Sequence, residues 1–306
     1  MKHPWEAEKL LEPPQALKLV QHQFPELQVK TVRLLGAGWD NSAFIFDEKF
    51  IFRFPRRVIA QSLLEIEWSL LPKLASQLPL PIPIPEWKGH STEEFPWPFI
   101  GYVQVPGFTA CYANLSEEDR AKTAEPLACF LAQLHAIPKS EIDASLTFHD
   151  NLTRVDKTKL VPALKRNLEE LCFLGLIENQ KELHAIIEAG NEMRNQQFSA
   201  IVHGDLYVRH LLVNEAHQIA GVIDWGDVHF GDPAIDLAIA HSFLPNIAHA
   251  TFRKAYGEIS EETWALARLR ALHSSCMLAL FGHHSGDPQL LREALRSLHL
   301  IPQNKF

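Results

Sequence analysis

The segment 201–236, IVHGDLYVRHLLVNEAHQIAGVIDWGDVHFGDPAID, constrains the fold of this chain more than any other segment. Asp205 lies in a loop after an apolar run, and two further apolar runs, at 211–213 and 219–223, are separated by polar residues. Two such runs joined by a polar turn predict a β-hairpin. The hairpin returns Asp224 to the end of the sheet that carries Asp205, where packing does not require a carboxylate.

A pair of carboxylates at one end of a sheet suits phosphoryl transfer. One carboxylate orients or deprotonates an attacking hydroxyl, and the other holds the magnesium ion that bridges the phosphates. The protein does little covalent chemistry in such a reaction, so its main contribution is to position charged groups. The hairpin therefore makes Asp205 and Asp224 the candidate functional residues. The alternative is that each carboxylate only caps a turn.

The remainder of the chain predicts a sheet-rich first part and a helical second part. After an opening helix at about 14–24, residues 29–54 alternate in a way that indicates three strands, with Phe50, Phe52 and Phe54 on one face. The other predicted elements are a helix at 60–78, a non-helical proline-rich link at 79–85, a strand within 95–107, and helices at about 117–136, 156–196, 234–255 and 261–299. This order of elements is that of an α+β protein.

Composition narrows the class of partner. The 306 residues suffice for roughly two domains, and 29 basic against 37 acidic side chains leave a formal charge of −8. This charge disfavours nucleic acid as a partner and suits a cationic one, although it is also an ordinary charge for solubility. Four cysteines without a CxxC motif and a polar N-terminus predict a reduced, cytoplasmic protein. Apolar stretches are shorter than the ~20 residues of a membrane span, so we expect no membrane partner. We also expect a monomer or weak dimer.

Three motifs in this segment together resemble the signature of the aminoglycoside/macrolide phosphotransferases, which are small-molecule relatives of the protein kinases. The motifs are His203-Gly204-Asp205, Ile223-Asp224-Trp225 and the run Gly231–Asp236. The stretches GAGWDNSAFIF and FIFRFPRR extend the resemblance to the first part of the chain. The resemblance implies a bilobal protein-kinase-like α+β fold. It places a sheet-rich, nucleotide-binding N-lobe at 1–103 and a larger helical C-lobe, catalytic and substrate-binding, at 104–306.

The resemblance also implies roles for the residues of the hairpin. Asp205 would be the catalytic residue that receives the substrate hydroxyl, and Asp224 would be the magnesium ligand. His203 would support the loop by hydrogen bonding. His210 departs from the pattern, since many relatives have a metal-binding asparagine at its position. Because magnesium prefers oxygen ligands, His210 would either ligate the metal or assist catalysis by holding the loop or a phosphate oxygen.

The expected nucleotide site uses three parts of the N-lobe. The turn GAGWDNS would offer backbone N–H groups to phosphate, unless it is a plain hairpin turn. Arg53 stands where kinases place a phosphate-binding lysine and should then pair with Glu67 rather than Glu65; otherwise it is a surface arginine. The strand FIGYVQV would contact the base, with Tyr102 at the back of the pocket unless Tyr102 is core. The predicted nucleotide-binding residues are Gly36, Gly38, Asn41, Ser42, Arg53, Glu67, Tyr102 and Val103.

The substrate is predicted from the residues that follow Asp224. Asp227 and His229 should face the same region, and acidic side chains there would suit an ammonium group. We therefore expect transfer from ATP or GTP, with Mg²⁺, to a hydroxyl of an aminoglycoside- or macrolide-type antibiotic, a small and cationic molecule. Asp232 and Asp236 are interpreted as structural residues of a helix start.

Other functions remain open at this point. A housekeeping kinase for a small alcohol such as choline, homoserine or a sugar would use the same residues. A catalytically silent nucleotide-binding module would explain the departures at Arg53 and His210, although both carboxylates of the hairpin are present. A metallohydrolase would need further ligands, and the sequence contains no HExxH motif.

Overall fold

The structure is a computed structural model that describes residues 7–38, 40–142, 153–178, 181–192 and 199–303. The chain divides into two compact units. The first comprises Met1–Gln77 and Pro81–Val105, and the second comprises Leu78–Leu80 and Pro106–Phe306. The separate functions expected of 1–103 and 104–306 stay predictions.

The first unit is built on a five-stranded antiparallel sheet. Its strands are β1 (Val32–Ala37), β2 (Asn41–Phe46), β3 (Phe50–Pro55), β4 (Trp87–Gly89) and β5 (Phe99–Val103), and its helices are α1 (Pro13–Gln23) and α2 (Ala60–Ala75). The strand order is β1-β2-β3-β5-β4. The three strands predicted in 29–54 and the helices predicted at 14–24 and 60–78 are confirmed, whereas β4 was not predicted.

The alternation along β3 gives this sheet two different faces. Phe50, Phe52 and Phe54 are buried in a cluster that includes residues of α1. The opposite face carries Ile51, which packs with Tyr102 from β5. One face is therefore filled by aromatic side chains, as the alternation predicted, and functional groups of this sheet have to come from the other.

The second unit contains two small sheets and most of the helices. Its strands are β6 (Phe108–Thr109), β7 (Ala200–Val202), β8 (Leu211–Val213), β9 (Ile219–Val222) and β10 (His229–Gly231). They form a sheet of order β6-β8-β9 and a pair β10-β7. Its helices are α3 (Glu117–Lys122), α4 (Ala124–Ala136), α5 (Lys157–Phe173), α6 (Lys181–Glu192), α7 (Ala234–Phe243), α8 (His249–Tyr256), α9 (Glu261–Ser285) and α10 (Pro288–Leu300). The predicted hairpin is confirmed as β8 and β9.

One of the predicted helical segments differs from the structure, and another is only partly described. The single helix predicted at 117–136 is wrong, because α3 and α4 meet at Thr123. The Thr123 hydroxyl donates to the carbonyl of Arg120 at 2.6 Å, and such local side-chain bonds compete with the helical ladder. The helices predicted in 156–196 are confirmed as α5 and α6, although 179–180 and 193–196 lie outside the described residues.

Two histidines in this unit are held in their neutral form. His241 is fully buried on α7, and burial lowers its pKa well below 6.5. Its Nε2 lies 3.1 Å from the carbonyl oxygen of Trp264. Burial and the neighbouring Arg270 lower the pKa of His273 to about 4. His273 Nδ1 accepts a hydrogen bond from Arg270 at 3.1 Å, which requires an unprotonated nitrogen.

We therefore expect acid to destabilise the protein. An unfolded chain binds protons at the ordinary histidine pKa of about 6.5, so stability is present above that pH and is lost as pH falls towards the folded value. Between pH 7 and pH 5 the free energy of unfolding should fall by roughly 2 kcal/mol through His273, and His241 should add to the fall. Urea titrations at both pH values measure this. His273→Gln keeps an acceptor without titrating and should show a smaller fall; an equal fall would contradict the assignment to His273.

Candidate active site

The two carboxylates of the hairpin lie on either side of the His210 ring. His210 Nε2 is 3.3 Å from Asp224 Oδ2, and His210 Nδ1 is 3.8 Å from Asp205 Oδ2. The side chains of Asp205 and Asp224 are 44% and 48% exposed, whereas His210 is buried. The hairpin thus brings both carboxylates to one place, as its sequence predicted.

His210 is positively charged in this arrangement. Burial by itself lowers the pKa of His210, but the carboxylates of Asp224 and Asp205 outweigh burial and raise the pKa to about 9. The imidazolium donates from Nδ1 to the backbone carbonyl of Asp205 at 2.7 Å and from Nε2 towards Asp224. In this form the ring joins the two carboxylate segments. Its role as a metal ligand stays a prediction.

Both histidines of the loop fix the backbone just before Asp224. The N–H of Ile223 donates to the carbonyl of His210 at 2.9 Å, and His203 Nε2 donates to the carbonyl of Ile223 at 3.0 Å. Asp224 itself has a φ of 64°, a left-handed conformation that aspartate tolerates better than most residues. A strained backbone held from both sides is typical of functional positions.

His203 supports the loop as a neutral side chain. It is fully buried, and burial lowers its pKa. Its Nδ1 accepts the backbone N–H of Asp205 at 3.3 Å, so the ring proton lies on Nε2, which donates to Ile223. These contacts are those of a supporting residue and leave no ring nitrogen directed at a substrate.

Asp236 clamps the start of the loop, a contact that was not predicted from the sequence. Its Oδ2 accepts the N–H of His203 at 2.7 Å, and its Oδ1 accepts the N–H of Gly204 at 2.9 Å. His135 Nε2 lies 3.1 Å from Asp236 Oδ2, and His135 Nδ1 lies 2.9 Å from the hydroxyl of Tyr256. Burial opposes the charge of Asp236, but the bonds from His135 and the loop lower its pKa overall. An acidic residue inside the apolar run AIDLAIA was the available signal, since buried carboxylates are almost always paired.

The glycine of the His-Gly-Asp motif is required by close packing. Gly204 has a φ of +87°, and a Cβ placed there would lie 2.2 Å from the carbonyl oxygen of Asp227. No side chain fits in that space or favours that backbone conformation. The loop can therefore approach the segment after Asp224 only with glycine at this position.

The two predicted substrate residues are both engaged within the protein. Asp227 Oδ1 accepts a hydrogen bond from the guanidinium of Arg154, and the backbone carbonyl of Asp227 accepts one from His229 Nδ1 at 2.7 Å. His229 is buried. Arg154 therefore already supplies a cation at Asp227, and the substrate contacts of Asp227 and His229 stay predictions.

In the first unit, a buried ion pair joins β3 to α2. Arg53 NH1 lies 2.5 Å from Glu67 Oε2, and both residues are buried. Glu65 pairs instead with Lys88 at 2.7 Å. The preference for Glu67 over Glu65 is thus present in the structure, and the alternative of a surface arginine is wrong. A buried pair needs good geometry to offset desolvation, so its presence fixes the position of the guanidinium.

The turn between β1 and β2 is tied to the end of β3. The N–H of Gly38 donates to the carbonyl of Asn41 at 2.9 Å, and the guanidinium of Arg56 donates to the carbonyl of Gly38. Asn41 and Ser42 are buried at the start of β2. A Cβ on Gly36 would have nothing within 4 Å, so packing does not explain that glycine. Residue 39 lies outside the described residues, and phosphate contacts of this turn stay predictions.

The strand predicted to contact the base has one buried and one exposed residue. Tyr102 is buried against Ile45 and Ile51 on the sheet face that also carries Arg53. Val103 is 41% exposed at the end of β5. Tyr102 is therefore core by its packing, and its contact with the base stays a prediction.

The exposed carboxylate of Asp224 fits a magnesium ion. Mg²⁺ is usually held by one or two protein carboxylates together with phosphate oxygens and water, and Asp224 offers such an oxygen next to Asp205. Among the residues that the structure describes, no group of three or more His, Cys, Asp or Glu side chains is arranged to hold a metal ion.

Together these features define a class of enzyme. A His-Gly-Asp loop clamped by a buried carboxylate, a second aspartate at the end of a hairpin, and an Arg–Glu pair on a five-stranded sheet are features of the kind that kinase-like phosphotransferases use. Residues 31–272 match the model of the phosphotransferase enzyme family. The chain belongs to this family.

The fold is similar to those of solved phosphotransferases. The match to the GDP complex of wild-type aminoglycoside 2'-phosphotransferase-IIIa has a TM-score of 0.69 at 23% sequence identity. It covers 97% of this chain and 100% of that one. The GDP and kanamycin complex of APH(2")-IIia gives 0.69 at 24% identity, over 95% and 99%. A macrolide 2'-phosphotransferase from Brachybacterium faecium gives 0.58 at 21% identity, over 92% and 98%. The predicted protein-kinase-like α+β fold is confirmed.

A curated relative covers only a short part of the chain. The uncharacterized protein YcbJ of Bacillus subtilis (strain 168) is 28% identical over 68 residues, which is 22% of this chain and 22% of that protein. In the described parts of the chain, no helix combines the length and apolar character needed to cross a membrane.

Proposed function

We propose that this protein transfers the terminal phosphoryl group of ATP or GTP to a hydroxyl of a small molecule of the aminoglycoside or macrolide type. The observation that carries the proposal is the pair Asp205 and Asp224, held by one imidazolium on a clamped loop. The solved structures with similar folds include aminoglycoside and macrolide phosphotransferases, which supports this class of acceptor. The same residues would serve a housekeeping kinase, so an experiment has to identify the acceptor molecule.

Asp205 is the proposed proton acceptor. The acceptor oxygen forms a bond to the terminal phosphorus, and the bond from that phosphorus to the bridging oxygen breaks, with its electron pair leaving on the nucleoside diphosphate. The proton of the hydroxyl passes to the Asp205 carboxylate. Burial raises the pKa of this carboxyl, and His210 opposes the rise. A raised pKa makes the carboxylate form of Asp205 a better proton acceptor.

Phosphate contacts of the nucleotide are proposed for two features of the first unit. Arg53, fixed by Glu67, would contact phosphate oxygens, and the β1–β2 turn would offer backbone N–H groups. Mg²⁺, when bound at Asp224, would neutralise charge on the phosphates. The imidazolium of His210 holds Asp224 in its conformation and keeps the two carboxylates from repelling one another.

A screen of acceptors tests the proposal. The full-length chain, with Mg²⁺ and either nucleotide, is assayed against aminoglycosides, macrolides, amino alcohols and sugars. We expect phosphorylation of an antibiotic, and Asp205→Asn should slow it by at least about 100-fold. Asp156→Asn is the control, because Asp156 caps α5 by accepting the N–H of Thr158 and asparagine caps equally well. Turnover of amino alcohols or sugars alone would indicate a housekeeping kinase, and nucleotide binding without any turnover would indicate a silent module.

Tyr102 is expected to set the choice of nucleotide. A bulky side chain at the back of the pocket obstructs the pose of adenine more than that of guanine, which can shift and still pair through O6, N1–H and N2–H₂. We therefore expect GTP to be used at least as well as ATP. Tyr102→Ala should raise kcat/KM for ATP by about tenfold, or ~1.4 kcal/mol of relieved crowding. Steady-state kinetics with both nucleotides measure this, with Ile45→Val as a packing control. An unchanged, strong ATP preference would make Tyr102 core only.

A further inference from the structure

Arg209 joins the catalytic loop to the last long helix of the second unit. It directly precedes His210, and its NH2 group donates to Asp287 Oδ2 and, at 3.3 Å, to the hydroxyl of Tyr112. The Tyr112 hydroxyl in turn donates to the same oxygen of Asp287 at 3.3 Å. Arg209 and Asp287 are mostly buried, with 24% and 20% of their side chains exposed. Three side chains from separate parts of the sequence therefore meet at one carboxylate oxygen.

Asp287 is itself firmly fixed. Its other oxygen, Oδ1, accepts the N–H of Leu290 at 2.9 Å and so caps the start of α10. Its backbone N–H donates to the carbonyl of Gly282 near the end of α9 at 2.8 Å. Tyr112 follows β6, which pairs with β8, the strand directly after the loop. Arg209 is thus bonded to a part of the fold that is anchored by helices and sheet.

The loop is then held at both ends. At its start, Asp236 binds the N–H groups of His203 and Gly204. At its end, Arg209 binds Asp287. Asp205 lies between the two anchors, and its carbonyl is bonded to the residue that follows Arg209.

We propose that Arg209 is a positioning residue for phosphoryl transfer: through Asp287 it fixes the end of the loop, and so places His210 and Asp205 for the acceptor hydroxyl. This inference rests on the proposed role of Asp205. A guanidinium–carboxylate contact is among the strongest and most directional of side-chain hydrogen bonds. A displacement of about 1 Å at a reacting group lowers rates by about 100-fold, so partial release of one anchor is expected to cost about tenfold in kcat.

A double-mutant cycle tests the proposal on the full-length enzyme. Arg209→Met and Asp287→Asn should each lower kcat about tenfold, with nucleotide affinity unchanged within twofold. Asparagine keeps the α10 cap, so Asp287→Asn removes the ion pair without removing the helix start. Because both variants break one contact, the double variant should be no slower than the slower single variant. Arg209→Lys keeps the charge and should recover part of the loss.

Arg296→Met is the matched control. Arg296 lies on the same helix and pairs with Glu117 at 2.6 Å, without contact to the loop. It should keep kcat within twofold. Unchanged kcat in Arg209→Met, or losses that multiply in the double variant, would overturn the proposal.

Amide hydrogen exchange separates this inference from the proposed function. In an Asp205→Asn background, where turnover plays no part, Arg209→Met and Asp287→Asn should each speed exchange at 206–210 while leaving α4 unchanged. Unchanged exchange at 206–210 would overturn the tether even if the enzyme is active. If no acceptor is phosphorylated by the wild type, the proposed function fails, and the exchange result still decides whether Arg209 holds the loop. If Arg209→Met does not fold, Asp287→Asn carries both measurements.

Discussion

Replacing Asp205 with asparagine should lower kcat by about 10²–10⁴-fold, the range expected when a general base is removed. The carboxamide has nearly the same shape but cannot accept the proton of the acceptor hydroxyl. Nucleotide affinity should hardly change, because the role proposed for Asp205 is towards the acceptor. Single-turnover assays with saturating nucleotide, alongside calorimetric titration of nucleotide, measure the two quantities separately.

Asp224→Asn is the comparison that shows whether the effect of Asp205→Asn is specific to the acceptor step. Both side chains are about half exposed and both neighbour His210. If the effect came only from the loss of a negative charge beside the ring, the two variants should behave alike. Loss of Asp224 should weaken Mg²⁺-dependent nucleotide binding, which Asp205→Asn leaves intact. If both variants lost nucleotide binding equally, or if Asp205→Asn kept near-normal turnover, Asp205 would be a structural carboxylate.

The features that were predictable from the sequence are those set by neighbouring elements. Asp205 and Asp224 meet because a short hairpin separates them, and Arg53 meets Glu67 because a strand and the next helix along the chain carry them. Periodicity and turn residues specify such local geometry. The split of the helix at Thr123 was missed because a single side-chain bond to Arg120, rather than a change in periodicity, ends α3.

The contacts that hold the site in place were not predictable in the same way. His135 and Asp236 are 101 residues apart, Arg154 and Asp227 are 73 apart, and Arg209 and Asp287 are 78 apart. Nothing in the local pattern indicates which distant helix will cover a loop. Asp236 was therefore grouped with Asp232 as a helix-start residue, whereas the structure gives these two aspartates different contacts.

Asp236→Asn should destabilise the protein by about 3 kcal/mol or more and also lower kcat. The carboxylate accepts from His203, Gly204 and His135 in a site without solvent. A carboxamide has one acceptor oxygen, and its NH₂ group would face donors. Buried donors left without an acceptor cost about 1–3 kcal/mol each. Because these donors are the backbone of the loop, Asp205 should also lose its position.

Asp232→Asn is the control that isolates this effect. Asp232 is also buried and lies four residues earlier. Its Oδ1 accepts the N–H of Ala234 at 2.9 Å, and asparagine can accept the same bond. Its variant should lose less than about 1 kcal/mol and keep its kcat. Urea unfolding at pH 7 gives both free energies, and turnover measured well below the unfolding transition separates loop displacement from loss of folded protein. Equal stability of the two variants would mean that the Asp236 carboxylate does not hold the loop, because of these two aspartates it is Asp236 that accepts the N–H groups of His203 and Gly204.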